Sequence, residues 1–217
     1  MSFSDRIYMG LTYAVLWFTL IVMLIPVIFI VSASFSSAQA VANGRVFLLP
    51  VGFNLKGYVN VFSTTQILTG FRNSFIYAVL GALSSVIISM LAAYPLSRQD
   101  FKARNFIMVI FTISMFFSGG MIPFYLVVKR LGMIDTVWSM FVPGILNVYN
   151  VIMARTYIQS SIPNELYESA SLDGCSDGRY LWKVVVPLSK PIIAVLLLWT
   201  AVAQWNSYFS ALLFYKQ

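Results

Sequence analysis

Long, largely uncharged apolar runs alternate with shorter polar segments along this chain. Because a helix needs roughly 20 apolar residues to cross the hydrocarbon core of a bilayer, five of the runs have the length of a membrane span. They are residues 11–31, 75–96, 106–128, 137–157 and 192–213. Proline and glycine interrupt several runs, which is tolerated in membranes where neighbouring helices satisfy the freed backbone groups. The pattern predicts an all-α polytopic membrane protein with five transmembrane helices.

The polar segments between these runs differ in size and charge. Residues 32–69 carry turn signals and are predicted to form an extracytoplasmic segment, while residues 129–136 predict a tight turn. Residues 162–191, here called the polar island, hold the largest group of charges, with four acidic and three basic side chains. These are Glu165, Glu168, Asp173, Asp177, Arg179, Lys183 and Lys190. A loop of this size between two spans can form helices of its own and can contact a soluble partner.

Start and stop signals divide the polar island into two short helices. Pro163 suits the first turn of a helix, where its missing N–H is no loss, and Gly174 is placed to end that helix as a C-terminal glycine. A second helix is predicted over residues 176–185, and Pro187 is expected to stop it. The apolar side of the first helix is predicted to consist of Leu166, Tyr167 and Ala170.

Composition supports the membrane class and excludes several kinds of site. The chain is 59% hydrophobic and 10% charged, whereas soluble domains carry about 25% charged residues. With no histidine and a single cysteine, Cys175, it has no internal disulfide and no histidine-based metal or catalytic site. The net charge of +7 reflects membrane topology better than nucleic-acid binding, because basic residues close to span ends orient a membrane protein. The basic cluster at residues 98–104 favours a cytosolic N-terminus and a cytosolic polar island.

A spaced motif lies within the polar island. Glu168-Ser169-Ala170 is followed after three residues by Gly174, and after nine more by Val184, one residue and Val186-Pro187. This spacing resembles the EAA loop of ABC importer permeases, whose pattern is E-A-A, three residues, G, nine residues, I-x-L-P. Flanking sequences resemble the carbohydrate-uptake group related to the maltose permease MalG, and its LplC-like branch in particular. These flanks are residues 93–98, 119–126, 131–136, 187–191 and 204–206.

The resemblance implies that the polar island is a cytosolic coupling helix, which docks on an ATPase and passes its closure to the spans. The residues implied in this coupling are Glu168, Ser169, Ala170, Gly174, Val184 and Pro187. The implied partners are a second permease subunit, a cytosolic ATPase dimer that binds ATP and Mg, an extracytoplasmic solute-binding protein and the lipid bilayer of the bacterial cytoplasmic membrane. The chain itself would bind no cofactor, metal or nucleic acid. Because family members usually have six spans, residues 1–217 are expected to form a single permease domain without the last span.

Polar residues inside the predicted spans are candidates for a substrate path, because such residues are costly in lipid and usually functional. Amides beside aromatic rings suit a sugar, since rings stack on its apolar faces and amides bond its hydroxyls. The candidates are Asn147, Asn150, Gln204, Trp205, Asn206 and Tyr208. Hydrogen bonding between packed helices is the alternative explanation for the same residues.

The functional prediction combines these observations with the resemblance. No G-x-x-x-x-G-K-[ST] loop occurs in the chain, so ATP hydrolysis is expected on a separate subunit. We therefore expect a non-enzymatic permease subunit of an ATP-driven importer for a carbohydrate, either an oligosaccharide or a polysaccharide fragment. Two alternatives stay open: a permease of the same architecture for a non-sugar solute, and a membrane scaffold or enzyme without transport. The second predicts catalytic groups within the spans, whereas every Asp and Glu lies in a predicted loop or tail.

Overall fold

The computed structural model describes residues 3–117 and 119–215, which form helices and turns without a strand. The helices before the first basic loop are α1 Phe3–Ser34, α2 Ala38–Ala42, α3 Lys56–Ser63 and α4 Thr65–Ser97. Those before the polar island are α5 Arg104–Phe116, α6 Met121–Arg130, α7 Trp138–Phe141 and α8 Val148–Ser161. The remainder comprises α9 Asn164–Leu172, α10 Asp177–Tyr180, a π-helical turn Leu181–Val185, α11 Val186–Leu188, α12 Lys190–Trp205 and α13 Tyr208–Phe214. The all-α prediction is confirmed.

The chain divides into two compact units, residues 1–70 and residues 71–217. In the first unit, hydroxyl groups at the end of α1 hold the segment that follows it. Ser32 is buried, and its Oγ donates a 2.6 Å hydrogen bond to the carbonyl of Leu48. The predicted extracytoplasmic segment is therefore ordered, and its last residues, 65–69, belong to helix α4 rather than to a loop.

Two helices are long and apolar enough to cross a membrane by themselves, namely α1 over Ile7–Ser34 and α4 over Thr65–Ser97. Helix α1 has 32 residues and is therefore about 48 Å long at 1.5 Å per residue. Both helices continue beyond the apolar runs that predicted them, because polar residues at helix ends maintain the same backbone hydrogen bonding. Two bent pairs, α5 with α6 and α10–α11 with α12, also qualify if each pair is one span. The described residues thus contain two to four candidate spans.

The third predicted span, residues 106–128, is divided between α5 and α6. The sequence predicted an interruption at residues 118–120 and at Pro123. Residue 118 lies outside the described residues, while Gly120 has a φ of 81° and directly precedes α6. Pro123 does not interrupt a helix, because it lies in the first turn of α6, where a missing N–H is tolerated.

The fourth predicted span, residues 137–157, was expected to be one helix and is instead α7 and α8 with a non-helical segment at 142–147. Pro143 and Gly144 explain the break, since proline removes a helical donor and glycine is a poor helix former. Asn147 then starts α8 as its N-cap, accepting a hydrogen bond from the backbone N–H of Asn150. The fifth predicted span is likewise divided, between α12 and α13.

The buried core of the second unit is formed by α4, α8, α12 and the segment from α10 to the π-helical turn. Its members include Val86, Met90, Ala93, Val151, Ala154, Ile158, Tyr180, Leu181, Val185, Ile192 and Leu196. Ala93 and Ala154 are fully buried, and such small side chains allow helices to approach closely. Tyr167 and Ala170 of α9 pack against this core, so the core connects the polar island directly to the spans.

Candidate coupling site

Helix α9 carries the first part of the motif and ends as the sequence predicted. Gly174 has a φ of 71°, a conformation that glycine adopts without the steric cost of a side chain. The N–H of Gly174 donates to the carbonyl of Ser171 at 3.0 Å, and that of Cys175 donates to the carbonyl of Ala170 at 2.9 Å. These two bonds form a Schellman motif, which satisfies carbonyls that the helix end would leave free. The backbone geometry therefore favours the glycine of the motif at this position.

The faces of α9 differ from the predicted arrangement. Tyr167 and Ala170 are half-buried against the core, whereas Leu166 is 44% exposed. Leu172 is 90% exposed although it is apolar. At about 100° per residue, Leu166 lies about 40° from Ala170 but about 100° from Tyr167, so it is at the edge of the inward side. The inward side of α9 packs on its own chain, and the outward side presents apolar surface.

The motif residues divide between these two sides. Glu168 and Ser169 are exposed, and Ser169 Oγ donates to the carbonyl of Glu165 within α9 at 2.9 Å. Gly174 is exposed, and no atom lies within 4 Å of the position that a Cβ would occupy. Ala170 is half-buried within the chain. Its role in close approach to a partner stays a prediction.

The second part of the motif forms a bent connection to α12. The predicted helix over residues 176–185 is present as α10 and the π-helical turn, but it continues through Pro187 to Leu188. A proline lacks the N–H and crowds the carbonyl four residues earlier, and the wider π-helical turn directly precedes α11 at this place. Pro187 itself is exposed, while Val184 is half-buried against the core. The segment from α10 to α11 meets α12 at 80°.

The C-terminal end of α4 is capped by side chains from α8. Arg155 Nε donates to the carbonyl of Leu96 at 2.8 Å, and Gln159 Nε2 donates to the carbonyl of Ser97 at 3.2 Å. The last carbonyls of a helix have no partner within it, and a cation is favourable there because of the helix dipole. These contacts fix the end of α4 to α8, next to the polar island.

A cluster of rings and charges joins the polar island to the same end of α4. The Cζ of Arg98 lies 3.0 Å from the centre of the Tyr167 ring. The Tyr167 hydroxyl donates to Asp177 Oδ1 at 3.0 Å, and the Tyr94 hydroxyl donates to the same oxygen at 3.4 Å. Arg98 also forms two 3.0 Å hydrogen bonds to Asp100. That guanidinium group lowers the pKa of the Asp100 carboxyl below its ordinary value.

A cavity of about 460 Å³ lies beside this cluster. It is lined by the ends of α4 and α8 and the start of α9. Its polar lining includes Arg98, Arg104, Gln159, Asn164, Glu165 and Tyr180. Burial raises the pKa of the Tyr180 phenol, so this group is neutral near pH 7. The mixture of basic, acidic and amide groups does not select one kind of ligand.

Two of the predicted substrate-path residues join helices in the structure. Asn150 is 4% exposed, and its Nδ2 donates to Thr200 Oγ1 at 3.1 Å, connecting α8 to α12. Gln204 Nε2 donates to the carbonyl of Met140 at 2.6 Å, connecting α12 to α7. A Cβ at Gly81 would lie 3.1 Å from Gln204 Cγ, so this glycine gives room for the amide.

The other predicted path residues lie on exposed positions. Trp205 is 45% exposed, and its ring meets Phe71 edge-on with centroids 5.3 Å apart. Asn206 caps α12 and donates to the carbonyl of Val202 at 2.8 Å. Tyr208 is 73% exposed, and Asn147 is also exposed. These four residues are available to a solute or lipid, and their place on a substrate path stays a prediction.

Comparison with known proteins identifies the family. Residues 85–216 match the family described as binding-protein-dependent transport system inner membrane component. This chain belongs to that family. The permease is 38% identical over 211 residues to the polygalacturonan/rhamnogalacturonan transport system permease protein YtcP of Bacillus subtilis, covering 97% of this chain and 73% of YtcP. It is 40% identical over 191 residues to protein LplC of the same organism, covering 88% of this chain and 64% of LplC.

A solved structure supports the same family. The permease resembles a chain in the crystal structure of a bacterial ABC transporter involved in the import of the acidic polysaccharide alginate, with a TM-score of 0.92 and 36% identity. The match covers 100% of this chain and 77% of the other. The permease thus spans about two thirds to three quarters of the length of its relatives. Its assignment as a membrane transport subunit, rather than a scaffold, is confirmed.

Sequence reasoning missed the residues that fix the polar island to α4. The sequence indicates Arg98 only as a basic residue near a span end and Tyr167 only as part of an apolar side, and it gives no sign of the contact that Arg155 makes. Tyr94 and Asp177 are 83 residues apart in the chain, so no local pattern indicates their contact. Within residues 3–117 and 119–215, no group of three or more His, Cys, Asp and Glu side chains could hold a metal ion.

Proposed function

We propose that this permease imports a carbohydrate, an oligosaccharide or polysaccharide fragment, with a second permease subunit, a cytosolic ATPase dimer and an extracytoplasmic binding protein. ATP and Mg bind the ATPase, and the permease contributes no catalytic group. Support for the sugar comes from relatives whose names refer to polygalacturonan, rhamnogalacturonan and alginate. Support for the coupled mechanism comes from the polar island, whose outward side is exposed while its inward side is packed on the spans.

The exposed side of α9 is the observation that carries the docking proposal. Glu168 and Leu172 point away from the core, and Leu172 is 90% exposed. An exposed leucine beside a carboxylate is suited to a protein interface, because burial of apolar surface favours association and charges give specificity. We place this surface in the cytosol, with the N-terminus on the same side.

ATPase closure would move α9 as part of a rigid body. The two ATPase subunits would approach each other when ATP binds. Helix α9, docked in a cleft of one ATPase subunit, would move with that subunit. The 80° bend between α11 and α12 then turns a lateral displacement into a tilt of α12. Such motions of packed elements are typical of alternating access.

The test compares substitutions at two glycines of the polar island. Both Gly174 and Gly178 are exposed, and no atom lies within 4 Å of the position that a Cβ would occupy at either glycine. They differ in that Gly174 has a positive φ, so a side chain there also strains the backbone. We expect Gly174→Asp to abolish ATP-driven uptake and Gly178→Asp to retain it. Because Gly174 has a positive φ, Gly174→Asn serves as a second control, since asparagine tolerates this conformation.

Uptake would be measured in proteoliposomes with the co-purified ATPase and binding protein, using oligogalacturonate, alginate oligosaccharide and a neutral maltooligosaccharide. Full uptake and full stimulation of ATPase activity by the loaded binding protein in Gly174→Asp would exclude docking through this surface. Uptake of none of the sugars by the wild type, together with uptake of a non-sugar solute, would exclude the carbohydrate assignment.

A further inference from the structure

We infer that Tyr167, Arg98 and Asp177 form a latch that holds α9 onto the end of α4, so that a displacement of α9 is passed to this span. The inference rests on the proposed function, and it concerns the inward side of α9 rather than the outward side that would meet the ATPase. It assigns Tyr167 and Arg98 as positioning residues for coupling.

Tyr167 makes three different contacts that leave α9. Its ring face lies against the Arg98 guanidinium at the end of α4. Its ring also forms a T-shaped contact with the Tyr180 ring, with centroids 5.2 Å apart and an angle of 86° between the planes. Its hydroxyl donates to Asp177 at the start of α10. One side chain of α9 therefore contacts both a span and the next helix of the polar island.

The side chain of Arg98 is fixed in position where it contacts the Tyr167 ring. Its side chain is 12% exposed, and two of its nitrogens bond the Asp100 carboxylate. Its remaining nitrogen, Nη1, is buried without a hydrogen-bond acceptor among the described residues. A guanidinium group that lacks an acceptor is stabilised by the negative face of an aromatic ring. The Tyr167 ring thus supplies the contact that hydrogen bonds do not.

The C-terminal end of α4, which Tyr167 contacts through Arg98, is held in place by several hydrogen bonds. Arg155 and Gln159 cap its last carbonyls, and Arg104 Nη1 donates to the carbonyl of Arg98 at 3.0 Å. The Asp177 carboxylate accepts a second hydrogen bond, from the hydroxyl of Tyr94 on α4. A displacement of α9 therefore acts on the C-terminal end of α4, which cannot unwind without losing these hydrogen bonds.

The experiment uses the assembled complex, purified through a tag on the permease and reconstituted in lipid nanodiscs and proteoliposomes. Tyr167→Phe keeps the ring on Arg98 and removes the hydroxyl, whereas Tyr167→Leu removes both contacts. The matched controls are Tyr58→Phe and Tyr58→Leu, because the Tyr58 hydroxyl also makes one hydrogen bond, to Ser34 at 2.8 Å, but lies in the first unit. Two quantities are measured: amide hydrogen exchange in α9, and the number of sugar molecules imported per ATP hydrolysed.

We expect α9 to exchange about tenfold faster in Tyr167→Leu and about threefold faster in Tyr167→Phe, from the usual strengths of these contacts. Import per ATP should fall in the same order, while the amount of co-purified ATPase stays at the wild-type level. A purely structural defect would reduce the amount of complex instead. The Tyr58 controls should change neither quantity. If Tyr167→Leu does not assemble, Tyr167→Phe carries the comparison.

Three results would count against the inference, and they are distinguishable. Unchanged exchange in α9 would show that the latch does not hold the helix, whatever the function. Faster exchange with unchanged import per ATP would show that the latch holds α9 but transmits nothing, and the proposed function would stand. Absence of ATP-driven import in the wild-type complex would remove the proposed function and the transmission together.

Discussion

Two regions of the second unit are built in opposite ways. The loop region, which we define as residues 162–191 with the ends of α4 and α8, has a buried core, a Schellman motif and capped helix ends. The broken-helix region, which we define as residues 117, 119–121, 142–147 and 205–214, has short helices, breaks at glycine and proline, and exposed amide and aromatic side chains.

The difference indicates that the loop region is suited to transmitting a displacement and the broken-helix region to contacting a solute. A densely packed region moves as one body when one side of it is displaced, because packed interiors resist compression. A region of interrupted helices carries polar groups that a continuous span would not expose, which is where transporters commonly place their substrate paths. The breaks and the packing are thus both informative about function.

The largest expected effect separates the packing of the two regions. Leu181 is 5% exposed in the loop region, whereas Leu212 is 61% exposed in the broken-helix region. Leu181→Ala should lower the free energy of unfolding by about 2–4 kcal/mol, because it leaves a cavity, and Leu212→Ala by less than about 0.5 kcal/mol. Reversible unfolding in detergent measures both. Equal losses would contradict the contrast in packing.

The next effect concerns backbone conformation. Gly174→Val should cost about 1–2 kcal/mol, because a side chain is strained at positive φ. Gly144 in the broken-helix region has no positive φ and open space around it, so Gly144→Val should be nearly neutral. Thermal unfolding of the two variants makes the comparison. A greater loss at Gly144 would show that its break depends on glycine itself.

A smaller effect tests whether an amide in the broken-helix region serves packing or substrate. Gln204→Leu removes the donor to the Met140 carbonyl and should lower the free energy of unfolding by about 1 kcal/mol, with the KM for the sugar unchanged. Asn206→Leu is the control for stability, because the Asn206 amide donates to the carbonyl of Val202 within its own helix. A raised KM with unchanged stability in Gln204→Leu would instead favour the substrate path.

The smallest effect is expected at the surface of the loop region. Asp100 is 69% exposed although it pairs with Arg98, and exposed pairs contribute less than about 1 kcal/mol. Because Arg98 lowers the pKa of Asp100, the pair stabilises the protein above the ordinary pKa, and its contribution is lost as pH falls through the lowered value. Asp100→Asn should therefore lower Tm slightly at neutral pH and not at all in strong acid. A constant difference across pH would exclude the ion pair as its cause.

The sequence predicted those features that depend on local rules. Gly174 was expected to end α9, and it does so because the required φ favours glycine. The N-cap role of Asn147, by contrast, was not predicted, because this residue lay inside a predicted span. The helical class followed from long apolar runs. The apolar runs also indicated the two long helices α1 and α4.

Features that depend on tertiary contacts were not predictable from one sequence. The π-helical turn before Pro187 and the inward side of α9 result from packing against the core. The continuity of the predicted span over residues 137–157 was wrong, because hydropathy does not register the effect of Pro143 on backbone hydrogen bonds. Contacts of Arg98 with Tyr167 join residues distant in the chain, and a count of charges assigns them no partner.

The most direct test of the coupling account is site-specific photo-crosslinking from position 168 in native membranes. A benzophenone side chain replacing Glu168 should form a covalent adduct with a subunit that contains a G-x-x-x-x-G-K-[ST] loop, identified by mass spectrometry. The same probe at Tyr58 should not form this adduct. No adduct from position 168, or an adduct with an extracytoplasmic protein, would contradict the claim that the polar island docks on a cytosolic ATPase.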